Sequence, residues 1–357
     1  MMRAAIVALI AVAAPPAAAW APRRPLALRG SRALAPWLTA PRARPTRSLT
    51  MRSDAALKKG IAEFYDESSG IWEAVWGEHM HHGYYEPNEK ASSFARHLEA
   101  QDEMIEKALE RCGAADVAAR CAAAGRRMRV VDIGCGIGGS SRYIARKYNA
   151  SVVGYTLSPE QARRGNELSA GLDVELRAAD ATNTSLPDGS FDLVWSLESG
   201  EHMPDKKRFV GEMARLCAPG GAVSCVTWCH RDLKRDEALR KRERAVLGAV
   251  NYCYYLPKWC SGADYRELFA KAPGFSRKAI VDDWTPNIAP FWPAVFRSAL
   301  RWSSLKGLAR TGVKTARGAV AILLMIVGYR LGTIKFVAVA AAKEPAGAPA
   351  GGVPGLY

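Results

Sequence analysis

The run Val130-Val131-Asp132-Ile133-Gly134-Cys135-Gly136-Ile137-Gly138-Gly139 carries the clearest chemistry in this chain. It reads as an apolar strand with an acid near its end, then a glycine turn, then a helix opening at Ser140-Ser141. Glycines let a backbone approach a ligand closely, and a helix start offers unpaired N–H groups to a carboxylate or phosphate. Here the spacing is Gly-x-Gly-x-Gly with Asp132 two residues ahead of the first glycine. A nicotinamide-binding turn is spaced Gly-x-Gly-x-x-Gly instead. Further along, Glu198, Glu201 and His202 follow an apolar strand and could move a proton. Upstream, Trp76, His79, Met80, His81, His82, Tyr84 and Tyr85 crowd one short segment.

These groups need a scaffold, and residues 126–230 supply an alternation of strands and helices that predicts a parallel α/β sheet. Strands are expected over 129–133, 151–155, 173–177, 191–196 and 222–227, with further strands over Lys278 to Trp284 and Thr333 to Ala342. Helices are expected from Asp54 to Glu67 and from Ser92 to Cys112, across much of an insertion at 231–275, and over most of 293–329. The second strand runs out through Thr156-Leu157 into Ser158-Pro159-Glu160-Gln161, where Ser158 suits an N-cap and Gln161 the far corner of a capping box. The third ends at Asp180-Ala181, an acid able to accept from an exocyclic amine or simply to make a turn. The fourth ends near Ser196, and ligands in open α/β sheets bind beyond such strand ends. Pro219-Gly220-Gly221 marks the turn into the fifth.

Composition narrows the classes. The net charge is +15, but residues 1–52 hold nine Arg and no acid, so only +6 belongs to the remaining chain. A nucleic-acid-binding face is therefore not required by charge, and none is expected. Arg3 followed by apolar residues 4–14, then Ala17-Ala18-Ala19, then Trp20-Ala21-Pro22 and an acid-free Arg/Pro/Ala stretch, resembles a bipartite plastid presequence; secretion with a linker is the alternative. The eight cysteines lack Cys-x-x-Cys spacing, so neither a zinc site nor a disulfide framework is expected. Residues 318–329 are too short to span a bilayer; they suit a core helix, or a greasy surface meeting membrane lipid. The division expected is a presequence (1–52), N-terminal helices and lid (53–125), a cofactor-binding core (126–230), a helical substrate-binding insertion with the last strands (231–343), and a disordered Pro/Gly/Ala tail (344–357).

The Asp-x-Gly-x-Gly-x-Gly loop resembles that of class I methyltransferases that use S-adenosylmethionine (SAM). Longer stretches are more specific: Phe64 to Gly70, Trp76 to Tyr84, Ser196 to Lys206, Thr227 to Arg231, Trp259 to Ser261 and Ala289 to Ala294. Together, over about residues 57–343, the chain resembles the gamma-tocopherol methyltransferase family. It departs at Val327-Gly328-Tyr329 and Leu331-Gly332. The resemblance implies a Rossmann-like α/β fold with a seven-stranded, mostly parallel sheet, a helical lid and a helical insertion after the fifth strand. It also implies methyl transfer from SAM to an aromatic carbon of a lipophilic phenol, in a plastid. Cofactor contacts would come from Val130, Val131, Asp132, Ile133, Gly134, Cys135, Gly136, Ile137, Gly138, Thr156, Leu157, Gln161, Asp180, Ala181 and Ser196. His202 or Glu198 would act as base with Glu201 orienting His202, unless this loop only shapes the cofactor pocket. Tyr65, Trp76, His79, His82, Tyr84 and Trp292 would form the lid or meet the substrate, and the aromatic setting favours a lid over a metal site. The same outline is shared by some alkaloid N-methyltransferases, so amine methylation, and SAM binding without phenol methylation, stand as alternatives. Oligomeric state is not legible.

Overall fold

A computed structural model describes residues 53–87, 89, 93–275, 279–291 and 313–347. The presequence reading of 1–52, Trp292, most of the predicted helix before residue 313, and the tail from residue 348 lie outside the described residues. The described residues open with three helices, α1 (Asp54–Trp76), α2 (Phe94–Arg111) and α3 (Ala114–Ala123). The alternating region follows: β1 (Arg129–Ile133), α4 (Gly139–Tyr148), β2 (Ser151–Thr156), α5 (Pro159–Leu168), β3 (Val174–Ala178), β4 (Phe191–Leu197), a short 3-10 turn at Gly200–His202, α6 (Lys206–Leu216) and β5 (Cys217–His230). Then come α7 (Lys241–Tyr254), α8 (Gly262–Ala270), β6 (Ile280–Asp283), α9 (Thr285–Ile288), α10 (Val313–Arg330) and β7 (Ile334–Ala342).

The seven strands form one sheet in the order β3-β2-β1-β4-β5-β7-β6. β7 runs antiparallel to both β5 and β6, and β1 to β5 are mutually parallel. The order reverses between β1 and β2 on one side and β4 on the other, which opens a crevice beyond their carboxyl ends. A strand covered on both faces must be apolar on both. In β1, Val130 joins the core beneath α2 and α3 with Met104, Ile105 and Leu109, while Val131 and Ile133 join the opposite core with Phe209, Met213 and Phe269.

Three elements differ from the sequence expectation. α1 does not stop at Glu67 but runs through Ser68-Ser69-Gly70 to Trp76, ending at Gly77 with φ +87°. Glycine within a helix costs only about 1 kcal/mol, less than docking the helix returns. β5 starts at Cys217, and Pro219-Gly220-Gly221 is absorbed as an irregularity between the Phe191/Cys217 and Leu193/Ala222 pairs. α3, not foreseen, is an alanine-rich helix that buries Ala114, Val117 and Cys121. The apolar run at 318–329 lies in α10, where Ala321, Met325 and Tyr329 are buried while Val320 and Val327 are exposed. Among the described residues no helix is long and apolar enough to cross a membrane.

Candidate active site

The crevice encloses about 820 Å³, its open mouth included, and lies where β1, β2 and β4 end beneath α1 and the histidine segment. Its floor is the glycine loop. Gly134 has φ +83°, and a Cβ there would sit 2.2 Å from the Cβ of Ser199, so the loop after β4 presses against this position. Gly136 has φ +56° and nothing within 4 Å of where its Cβ would be, so its bare backbone faces open cleft. Arg142, fully buried, holds the loop from behind by donating to the carbonyl of Ile137 at 2.5 Å and to Glu78 Oε2 at 3.1 Å. Nothing in the motif reading singled out Arg142.

Asp132 is buried and lines the cleft. It accepts from Ser141 Oγ at 2.6 Å. Burial pushes its carboxyl up to about 7, and the Ser141 bond offsets this only partly. Such a carboxyl, short of a positive partner beside a helix start with free N–H groups, fits a zwitterionic, cationic ligand such as SAM. Cys135, Ile137, Thr156, Leu157 and Gln161 also line the cleft. Thr156 Oγ1 donates to Gln161 Oε1 at 2.7 Å. Ser158 caps α5 through Gln161 N at 3.0 Å as expected, but the Gln161 side chain turns to Thr156, leaving the capping box half made.

Other expected cofactor residues serve the scaffold in this structure. The side chains of Val130, Val131 and Ile133 are core residues. Ser196 Oγ shares a 2.6 Å hydrogen bond with Ser199 Oγ, which donates to the Ile133 carbonyl at 2.6 Å, stitching β4 to β1. Asp180 accepts from Lys58 Nζ at 2.7 Å and from Thr182 N and Oγ1 at 2.9 and 2.7 Å. Burial works to raise its pKa, but Lys58 and Thr182 outweigh it and hold the carboxyl below its usual value. Ala181 is buried against the core of Val131 and Ile133.

Beyond β4 the backbone of Glu198 adopts φ +52°, a left-handed conformation uncommon for glutamate. It aims the carboxylate at His82: Oε1 accepts from His82 N at 2.5 Å, and Oε2 pairs with His82 Nδ1 at 2.7 Å. His82 packs against Phe291 and Phe336, ring centroids 4.1 and 5.3 Å away. His202 instead meets the Tyr65 hydroxyl through Nε2 at 3.2 Å, while its Nδ1 finds no partner among the described residues. Burial first, and Lys206 second, push its imidazole down to about 3. Tyr65 is pushed above its usual value by burial and by the charges of Glu201 and Glu198. Glu201, expected to orient His202, turns instead to Thr227 Oγ1 at 2.7 Å. Its carboxyl rises to about 8 through burial and the neighbouring Glu198.

Of the lid residues, His79 lies at the mouth, its Nε2 3.1 Å from Asp102. Gln101 holds the carbonyls of His79 and His81 at 2.6 and 2.9 Å. Tyr84 packs edge-on against Trp284 at 5.3 Å and does not line the cleft. Trp76 ends α1. Tyr65 and Ile61 bring α1 over the cleft. Among the described residues no three His, Cys, Asp or Glu side chains group as a metal cage.

A family model described as a methyltransferase domain matches residues 131–225. "Probable tocopherol O-methyltransferase, chloroplastic" of Oryza sativa subsp. japonica is 51% identical over 293 residues, 80% of this chain and 78% of that protein. "Tocopherol O-methyltransferase, chloroplastic" of Arabidopsis thaliana is 49% identical over 290 residues, covering 80% and 82%. The chain belongs to the tocopherol methyltransferase family. As a member it is a SAM-dependent methyltransferase. The fold agrees: the solved geranyl diphosphate C-methyltransferase of Streptomyces coelicolor A3(2) superimposes with a TM-score of 0.59 at 21% identity, over 84% of this chain and 100% of that one.

Proposed function

We propose that this enzyme methylates gamma-tocopherol to alpha-tocopherol, and delta- to beta-tocopherol, on the ring carbon ortho to the phenolic hydroxyl. The observation that carries the chemistry is the Glu198–His82 pair at the carboxyl end of β4, held by a left-handed glutamate on the wall of the cleft. Strained residues of this kind cost about 1–3 kcal/mol and persist where the surroundings over-determine them. The substrate class rests on the curated relatives and on the family stretches around Ser196 to Lys206 and Ala289 to Ala294.

Bound over the glycine loop, SAM supplies a methyl already activated by its sulfonium. Asp132 and the free N–H groups of α4 would hold its amino-acid end, and Thr156 and Gln161 would meet its ribose. Glu198, with His82 fixing the carboxylate, takes the hydrogen bond of the phenolic hydroxyl and draws its proton away. Electron density then moves to the ortho carbon, which would take the methyl as its bond to sulfur breaks; the ring hydrogen of that carbon would then leave as a proton and the oxygen regain one from Glu198, restoring the aromatic phenol. The relatives' names place the methyl on oxygen. The two outcomes differ in their product, a phenol against a methyl ether. His202, whose imidazole burial holds down to about 3, bonds Tyr65, and the two are assigned to positioning the ring. Most of the remaining rate comes from alignment and exclusion of water under α1.

The presequence reading belongs with this function, because both relatives carry chloroplastic in their names. We assign residues 1–52 to plastid import, and the exposed side of α10, with Val320 and Val327, to contact with the lipid that dissolves such substrates. The test is direct: offer SAM with gamma-, delta- and alpha-tocopherol. The first two should be methylated. Turnover of alpha-tocopherol, which has no free ring carbon, would point to oxygen.

A further inference from the structure

Two of the eight thiols face each other outside the cleft. All eight cysteines are free, and Cys260 is one of two that are partly exposed, whereas Cys229 is wholly buried. Cys229 is the penultimate residue of β5, and Cys260 immediately precedes Ser261, the N-cap of α8. A parallel bridge joins His230 to Ser261, and His230 N donates to the carbonyl of Cys260 at 2.9 Å. In a parallel bridge the preceding residues are the next matched pair, and they point to the face opposite His230 and Ser261. The bridge brings the two segments together, and the hydrogen bond between the thiols sets Cys229 and Cys260 side by side. Adjacent positions in such a pair lie within the Cα separation a disulfide tolerates, roughly 4.4–6.8 Å.

We propose that Cys229 and Cys260 form a reversible redox pair, with Cys260 the nucleophile and Cys229 the resolving thiol. The oxidant is a peroxide. The Cys260 thiolate attacks one oxygen of hydrogen peroxide, cleaving the O–O bond, to give a sulfenic acid and hydroxide, which takes up the thiol's proton as water. The Cys229 sulfur then attacks the Cys260 sulfur and displaces the hydroxyl, which leaves as a second water with the Cys229 proton. In balance, two thiols and one peroxide become one disulfide and two waters; the thiols are oxidised and the peroxide reduced. The environment favours this order of roles. Cys260 is held below the usual thiol value by its hydrogen bond from Cys229 and, against burial, by the charge of Lys206. Burial pushes Cys229 well above it. A low-pKa, partly exposed thiol beside a resolving thiol is the arrangement that stops at a disulfide instead of running to sulfinic acid.

The inference stands independently of the acceptor, because its readout is covalent. Full-length protein is treated with equimolar hydrogen peroxide, alkylated without reduction, digested and mapped by mass spectrometry. The expected result is a peptide pair linked through Cys229 and Cys260, a loss of about two thiols per chain, and recovery of both with dithiothreitol. Cys229→Ser should leave Cys260 as a sulfenic acid trapped by dimedone, and Cys260→Ser should lose no thiol at the same dose. Linkage through other cysteines, or irreversible oxidation of Cys260 in the wild-type chain with Cys229 present, would overturn the pair; the wild-type map decides this even if a variant fails to fold.

Discussion

Two carboxyls in one cleft are set for different work by their surroundings. Glu198 is fixed by His82, while Asp132 is buried without a cation and titrates near neutrality. If Glu198 takes the phenolic proton, Glu198→Gln should lower turnover by about 10²–10⁴-fold while SAM affinity changes little, since the amide keeps the shape but not the basicity. His202→Ala should cost less than about tenfold, because an imidazole held at about 3 contributes position more than proton transfer. The reverse ranking in steady-state kinetics would return the base to His202. Asp132 carries a separate prediction. A cationic ligand favours its ionised form, so affinity for SAM should rise with pH and level off above about 7, where the carboxyl is already ionised. Calorimetric titration of Asp132→Asn should give weaker binding, by at least about tenfold, with the slope abolished; a tenfold loss is about 1.4 kcal/mol. Gly136→Val should weaken binding comparably, since it adds a branched side chain at φ +56° on the cleft's open floor.

At the scale of elements, α1 is the helix that covers the cleft and the one to test as a lid. Lys58, Tyr65, Asp66 and Glu73 recur at intervals that share one helical face, and each ties α1 to the sheet domain through a polar contact: Lys58 to Asp180, Tyr65 to His202, Asp66 to Ser158, Glu73 to Arg164. The two ion pairs among them, Lys58–Asp180 and Glu73–Arg164, are partly exposed and worth about 0–1 kcal/mol each, so the buried Leu57 and Ile61 carry most of the docking. If α1 acts as a lid, its hydrogen exchange should be fast in the free enzyme and slow on adding S-adenosylhomocysteine, while β1 and β4 stay protected throughout. Equal exchange in both states would remove the lid role. This attachment also marks where the sequence stopped being legible. Local signals placed all seven strands, because a βα turn announces itself through caps, prolines and glycines a few residues apart. The Glu198–His82, Tyr65–His202 and Lys58–Asp180 contacts join residues more than a hundred positions apart, and no local pattern encodes them. Residue type points to Glu198 and to His82 separately, but nothing local makes them partners. Glu201 and His202 are neighbours in sequence but not partners in space; the 3-10 turn at Gly200–His202 points them apart, Glu201 towards Thr227 and His202 towards Tyr65.

For the whole molecule, the described residues after 52 build the two large hydrophobic cores, one on each face of the sheet. Removal of residues 1–51 should leave folded, active enzyme, since that segment lacks core-forming periodicity; an unfolded truncate by circular dichroism would show that it belongs to the domain. The central claim is a methyl placed on carbon. Its most direct test is to incubate the truncated enzyme with methyl-labelled SAM and gamma-tocopherol, then locate the label by mass spectrometry and NMR. The account predicts alpha-tocopherol, with the label on the ring carbon beside an intact hydroxyl and one S-adenosylhomocysteine formed per methyl. Label in a methyl ether, or in an added amine with none in the tocopherol, would contradict it.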